Sequence, residues 1–170
     1  GYHEEVSRRE GKRMDLMHHI VLPMLSGTEV TLEIFLITFA LVLPLGLLVA
    51  LGHIAQFRPL RFLVELYIWV MRGTPLMLQL LFVYFALPLV GIRLPDIAAA
   101  LLAFTMNYTA YFAEIFRAGI QSIDRGQYEA SHMLGLSYTQ TMRRIIIPQM
   151  VRRVLPPMSN ETINLVKDTS

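Results

Sequence analysis

The chain has no cysteine, which excludes a disulfide framework and any thiolate metal site. It also lacks a phosphate loop of the form G-x-x-x-x-G-K followed by Ser or Thr, so nothing in it is built to cradle nucleotide phosphates. Charge is scarce: Asp, Glu, Lys and Arg make up 16% of the 170 residues, while 54% are hydrophobic. A soluble domain carries about 25% charged and about 45–50% apolar residues. Most of the charges lie outside a few long apolar stretches, which points to a membrane protein rather than an oily core. The pI near 9.1 implies no nucleic-acid partner, because the basic residues form no dense patch. They flank apolar segments, the arrangement that encodes topology in membranes. Of the five histidines, His3, His18, His19, His53 and His132, none pairs with another at metal-binding helical spacing beside a carboxylate. His18 and His19 are adjacent and point different ways on a helix. No metal is assigned, and no catalytic nucleophile constellation is present.

What is present is apolar length. A helix needs about 20 apolar residues to cross a hydrocarbon core of about 30 Å. The first candidate span covers about residues 28–52, with Pro44 inside it, which lipid-embedded helices tolerate when neighbours re-satisfy the freed carbonyl. It is too long for a signal-peptide core. The second region, about 60–90, is too long for one straight span and is cut by Arg72-Gly73-Thr74-Pro75. Proline removes a donor and pushes the preceding residue out of helical geometry, so two pieces, 62–71 and 76–90, are expected on either side of the break. The third span enters after Pro95-Asp96 and covers 97–120. Ala99, Ala103, Ala110 and Ala113 fall near helical spacing there, predicting one face packed closely on another helix. A fourth begins at about 158–170.

Residues 122–157 carry Arg125, Arg143, Arg144, Arg152 and Arg153 against Asp124 and Glu129. The positive-inside rule places this segment in the cytoplasm. Span three then enters the cytoplasm, the Arg58/Arg61 loop is cytoplasmic and the N-terminus lies outside. The polar tail of residues 1–14 argues mildly against that last step. It starts at Gly1 rather than Met, and Met14 would make a natural start, so the tail reads as non-native or else as a basic anchor to headgroups. Within 122–157, a short helix over 125–134 ends at Gly135, a suitable left-handed residue. Ser137-Tyr138-Thr139-Gln140 has the form of a capping box. It opens a second helix expected to end by Ile147, because Pro148 follows.

The spacing of this element is specific: Glu129-Ala130-Ser131, three residues, Gly135, nine residues, Ile145, one residue, Ile147-Pro148. It resembles the cytoplasmic EAA loop of binding-protein-dependent ABC importer permeases, E-A-A-x3-G-x9-I-x-L-P, with Ser131 for the second Ala and Ile147 for Leu. Both departures keep the size class. Small residues at 130, 131 and 135 let a partner approach closely, and Glu129 can pair with a base on it. The segments Arg72 to Leu76, Gln79 to Pro88, Asn107 to Arg117, and Leu155 to Ser170 look like the polar amino-acid branch, typified by glutamine and histidine permeases. The resemblance covers Asp15 to Ser170. It implies an all-α integral membrane fold of the type I ABC importer transmembrane domain, truncated at its C-terminus, since that branch continues through the fourth span and a fifth. It further implies that the loop inserts into a groove on cytoplasmic ABC ATPase subunits, which bind the ATP and Mg, so the chain itself needs no cofactor and is no enzyme alone. The implied partners are those ATPases, a second permease subunit (identical or homologous), an extracytoplasmic amino-acid-binding protein and the lipid of a bacterial inner membrane.

Ionisable groups in hydrocarbon cost about 2.5 kcal/mol or more, so each needs a partner, water or a function. Glu114 and Arg117, three apart on one helix face, read as a local ion pair or as a gate at the inner mouth. Glu65, before the break, reads as structural. A broken helix exposes backbone at membrane depth, where transporters place substrate contacts. Arg72, Gly73, Thr74, Pro75, Gln79 and Asn107 are therefore pathway candidates: the amides and Thr74 to bond an amino acid's backbone groups, Arg72 to attract its carboxylate. The alternative is a mere elbow with Arg72 anchored at headgroups. Asn164, Lys167 and Asp168 cannot comfortably face lipid and are expected to line the pathway or a subunit interface, with Glu161 a weaker candidate. The rival class is an ATP-independent channel or secondary transporter, with the cytoplasmic helices as a regulatory element.

Overall fold

The computed structural model describes residues 2–170, with side-chain surroundings from Glu5 onward; Gly1 and the side chains of residues 1–4 lie outside the described residues. No strand forms among the described residues. Helix α1, Tyr2–Leu16, passes through a π-helical turn, Met17–Val21, into α2, Leu22–His53. The described part of the polar tail is thus a helical extension of the first expected span. Residues Glu5–His53 form one helix long and apolar enough to cross a membrane, and Pro44 sits inside it without ending it.

Helix α3, Arg58–Gly73, and α4, Leu76–Leu89, are the two pieces expected around the break, and their axes meet at 103°. The pair makes a second apolar crossing if it is read as one broken span. Helix α5, Asp96–Gln121, follows. It is the structural hub, packed against α2, α3, α4 and α8, Ile147–Thr169.

The alanine face explains why α5 can take this place. Ala110 and Ala113 are fully buried with Ala50 of α2 and Ile68 of α3, while Ala99 and Ala103 pack on Val83 of α4. Where lipid tails are as apolar as leucine, helices associate through close packing of small residues. At Gly46 the backbones approach so closely that a Cβ would meet the Phe112 Cβ at 3.0 Å and the Ala113 nitrogen at 3.4 Å. Larger side chains fill the flank: Val42, Phe104, Phe112 and Leu165 of α8 form one cluster, and Phe39 meets Phe112 edge to face at 6.4 Å. The polar residues Asn107, Tyr108 and Thr109 in mid-α5 are all buried against protein, so the helix at the centre of the bundle encloses its polar middle.

The cytoplasmic-segment expectation needs one correction. Helix α6, Arg125–Met133, and the capping box opening α7, Tyr138–Thr141, form as the sequence indicates. The second helix does not end before Pro148. It runs from α7 through a π-helical turn, Met142–Ile146, directly into α8, with Pro148 in the first turn. The π turn is the physical reason: the Ile147 N–H reaches back five residues to the Met142 carbonyl. The ladder is therefore already out of α register where proline withdraws its donor. Residues 158–169, where a fourth span was expected to begin, accordingly belong to one long helix that starts upstream, and neither it nor α5 is among the helices long and apolar enough to cross a membrane.

Helix α8 meets α5 at Gly119, where an added Cβ would lie inside the contact distance of Val154 Cγ1, whereas nothing stands within 4 Å of a Cβ at Gly27. Gly119→Ala is expected to destabilise the helix bundle by about 1–3 kcal/mol through overpacking. Gly27→Ala, in open space within α2, is expected to stabilise it by about 0.5–1 kcal/mol through helix propensity. Thermal unfolding in mild detergent reads both; equal shifts of the same sign would contradict the packing.

Candidate functional site

The break forms because Pro75 forces Thr74 to extended geometry, φ −117° and ψ 144°, ending α3. Three of the carbonyls there, those of Val70, Met71 and Thr74, find side-chain partners. The Thr74 hydroxyl donates to the Val70 carbonyl at 2.7 Å. The Gln79 amide nitrogen lies 3.0 Å from the Met71 carbonyl, 3.3 Å from that of Thr74 and 2.7 Å from the Thr74 hydroxyl. Asn107 Nδ2, from α5, donates to the Met71 carbonyl and to Gln79 Oε1, each at 3.1 Å. The Tyr67 hydroxyl binds the Met106 carbonyl beside them. The break is thus closed by side-chain amides, and the donors of Gln79 and Asn107 point into it.

Beside the break is a cleft of about 460 Å³. One wall is the break itself, Arg72, Gly73, Thr74, Pro75 and Leu76; a second is Asn107, Tyr108 and Tyr111 of α5; the third is Glu161, Asn164, Lys167 and Asp168 of α8. Every expected pathway residue except Gln79 lines this cleft. Gln79 instead lines an apolar groove between α3, α4 and α5. The cleft brings two bases, Arg72 and Lys167, together with two acids, Glu161 and Asp168, and the Tyr108 hydroxyl donates to Asp168 Oδ2. Tyr108 and Tyr111 were not among the sequence candidates. A signal existed: Asn107, Tyr111, Glu114 and Ala118 share one helix face at i, i+3 and i+4 spacing.

A second cleft, of about 480 Å³, continues from the first and shares Arg72, Tyr111 and Glu161 with it. Its other lining includes Glu114, Arg117, Gly119 and Arg153. Glu114 and Arg117 form the local pair read from the sequence, with Nε–Oε1 at 3.0 Å and Nη2–Oε2 at 2.8 Å. The pair is not isolated. His53 Nδ1 at the end of α2 lies 3.0 Å from Glu114 Oε1, and Arg72 Nη1 lies 3.5 Å from Oε2. Arg117 also donates to Gln121 Oε1 at 2.7 Å. Glu65 reaches His53 at 3.6 Å and Arg61 at 3.9 Å. One half-buried carboxylate therefore ties together α2, α3 and α5, through partners far apart in sequence.

The loop motif is set away from the clefts. Asp124 caps α6, accepting from the Gly126 N–H at 2.9 Å. Gly135 takes φ +73°, the left-handed position, and the Leu136 N–H returns to the Ser131 carbonyl at 3.1 Å. The motif's small residues divide in role. Ala130, Gly135 and Glu129 are exposed, but Ser131 is buried and bonds back to the Gln127 carbonyl at 2.6 Å, so its size serves the loop's own packing. Ile147 and Pro148 are exposed and Ile145 is half-buried, while Ile146 between them supplies the buried anchor. Met133, Leu134 and Tyr138 form an exposed apolar tip. Gln149 of α8 donates to Gln127 Oε1 at 3.1 Å, fastening α6 to the long helix.

An all-helical bundle with a broken helix, a charged cleft and this loop defines a transporter membrane domain. Residues 42–170 match the family model described as binding-protein-dependent transport system inner membrane component, and the chain belongs to that family. It is 38% identical over 157 residues to the L-cystine transport system permease protein TcyB of Bacillus subtilis, covering 92% of this chain and 67% of that protein. It is 40% identical over 148 residues to the arginine transport system permease protein ArtQ of the same organism, covering 86% of this chain and 68% of that protein. The chain spans about two thirds of the length of these curated relatives. A crystal structure of an amino acid ABC transporter with histidines superposes with a TM-score of 0.74 at 37% identity, covering 87% of this chain and 72% of that one. The similar proteins are thus amino-acid ABC permeases.

If the amides of Gln79 and Asn107 hold the break, they act as a unit. Gln79→Met and Asn107→Leu are each expected to cost about 0.5–1.5 kcal/mol of stability, because the first removes a donor from the Met71 and Thr74 carbonyls and the second removes one from the Met71 carbonyl and Gln79 Oε1. The double variant is expected to fall short of the sum by about 0.5 kcal/mol or more. A double-mutant cycle by chemical unfolding measures this; strict additivity would count against the network.

Proposed function

We propose that this chain forms the membrane-spanning part of an ATP-driven, binding-protein-dependent importer of polar amino acids, working in a bacterial inner membrane as a multi-pass subunit. The observation that carries this reading is the cleft at the broken helix. A zwitterionic amino acid needs a base for its carboxylate and an acid for its ammonium, and Arg72 and Lys167 face Asp168 and Glu161 around a space of about 460 Å³. Charges of this kind are expensive in hydrocarbon, about 2.5–3.5 kcal/mol each at mid-membrane, so a lining of both signs favours a polar passenger. Asn164, Thr74 and the Asn107 carbonyl oxygen add neutral bonding capacity at the rim.

The subunit performs no covalent chemistry. ATP and Mg belong to cytoplasmic ABC ATPase subunits, which take the loop of Glu129, Ala130 and Gly135 with its apolar tip into a groove. A second permease, identical or homologous, faces the cleft, and an extracytoplasmic binding protein delivers the amino acid. ATP-driven closure of the ATPases then moves the loop and the long helix behind it, exposing the cleft to one side and then the other. The relatives that transport cystine and arginine support the substrate class but do not choose among its members.

The test uses the full-length permease expressed with its ATPase, wild type beside Gly135→Asp. The glycine's left-handed backbone already penalises any side chain by about 1–2 kcal/mol, and an aspartate adds an unpaired charge at the contact. The expected outcome is ATPase retained in mild detergent by the wild type and lost by the variant, with ATP-driven uptake abolished. Retention and normal uptake by Gly135→Asp would sink the docking role, and an ATPase retained by neither form would favour gradient-driven transport.

A further inference from the structure

We infer that Arg72 is a latch between the two clefts: it closes their junction by holding Glu114 and Tyr111, and it releases when a substrate carboxylate takes its guanidinium. This inference rests on the importer reading above and gives it a moving part.

Three observations meet at this side chain. Arg72 is one of only three residues lining both clefts, together with Tyr111 and Glu161, so a solute passing from the break towards Glu114 must pass it. It stacks over the Tyr111 ring, its guanidinium carbon 5.3 Å from the centroid, and its Nη1 lies 3.5 Å from Glu114 Oε2. It occupies the last turn of α3 and its side chain is part-exposed, so it can swing without disturbing a packed core.

The hold is built to be the one that yields. Arg117 grips the same carboxylate with two short bonds, the bidentate geometry that is strongest for this pair. Arg72 adds a single longer contact, from a side chain that is 44% exposed. When Arg72 leaves, Glu114 remains neutralised by its two bonds from Arg117, so no buried charge is stranded. A guanidinium carries five donors in a planar fork, and an incoming amino-acid carboxylate in the first cleft offers it a bidentate partner in place of one oxygen at 3.5 Å. The exchange opens the junction only when the correct kind of anion is present, and the guanidinium closes over Tyr111 again when the passenger has gone.

The experiment uses the full-length permease with its ATPase in proteoliposomes, either preloaded with radiolabelled L-glutamine, L-arginine or L-cystine for efflux or given the same probes from outside together with the system's binding protein for uptake. Two readouts are taken, efflux without ATP and the KM and Vmax of ATP-driven uptake. Arg72→Gln is expected to leak the probe several-fold faster than wild type and to raise the uptake KM roughly tenfold, the scale of one lost charge contact. Arg72→Lys keeps the charge but neither fork nor stacking, and is expected to leak at an intermediate rate. Tyr111→Leu leaves Arg72 and Glu114 charged and removes only the ring; it is expected to leak faster than wild type. Vesicles of Arg72→Gln or Tyr111→Leu that hold the probe as tightly as the wild type, while the wild type shows ATP-driven uptake, overturn the latch. Absence of ATP-driven uptake by the wild type overturns the importer reading itself and the latch with it.

Discussion

A backbone that leaves helical geometry away from water must find partners for every polar group it frees, because each unsatisfied one costs several kcal/mol. The bend at Gly73–Pro75 meets that constraint at the Met71 and Thr74 carbonyls through two amides. Gln79 reaches back across the break from α4, and Asn107 reaches in from α5, and both converge on the Met71 carbonyl. Without them a 103° turn between two apolar helices would not be tolerable, and the charged cleft beside it would not exist. The position of Asn107 depends in turn on how α5 is seated, and α5 sits where it does because alanine and glycine let α2 approach it. Small residues at one interface thus determine where an amide lands at another.

Charge is handled by the same economy. Glu114 is the meeting point of α2, α3 and α5, through His53, Arg72 and Arg117. Arg72, Arg117 and Arg153 outnumber Glu114 and Glu161 along the second cleft, which leaves one positive charge in excess there. In the first cleft acids and bases balance. An amino acid passing from one to the other would move from a neutral mixed environment towards a region that favours its carboxylate, a gradient in binding character rather than a uniform tunnel.

Much of this was legible in the sequence, and the reasons are physical. The break could be read because Pro75 has only one effect on the residue before it. The alanine face could be read because helical spacing is fixed, and the capping box and Gly135 because turn chemistry is local. The loop motif needed only spacing. What stayed hidden was the non-local part. Nothing in the neighbourhood of Glu114 announces His53, sixty-one positions away along the chain by simple subtraction of their numbers. Nothing near Gln79 says that its amide turns back to the break instead of out to the cleft. Pro148 misled because proline ends a regular helix, and the π turn that lets this one continue has no composition of its own. Ser131 looked like a contact for a partner because small size is ambiguous between making room for a neighbour and fitting into one's own fold.

That unforeseen continuity bears most on mechanism. If the helix had ended before Pro148, the loop of α6 and α7 would be joined to the cleft by a flexible segment, and displacement of the loop would be dissipated there. Instead, residues 138–169 are helical throughout, an element on the order of 45–50 Å long at 1.5 Å per residue. Its lower end is fastened to α6 by Gln149 and Gln127. Its middle presses Val154 onto Gly119 of α5, and Arg153 donates to the Ser122 carbonyl at the end of α5. Its upper end carries Glu161, Asn164, Lys167 and Asp168 into the cleft. A push on the loop in the proposed mechanism therefore has a stiff member to act on. In that mechanism the pivot would be near the glycine contact, and the moving end would be the wall that carries Lys167 and Asp168. The π turn and the prolines at 156 and 157 are the places where such a member can bend without breaking, so the residues that made the helix hard to read from sequence are also those that would set its compliance.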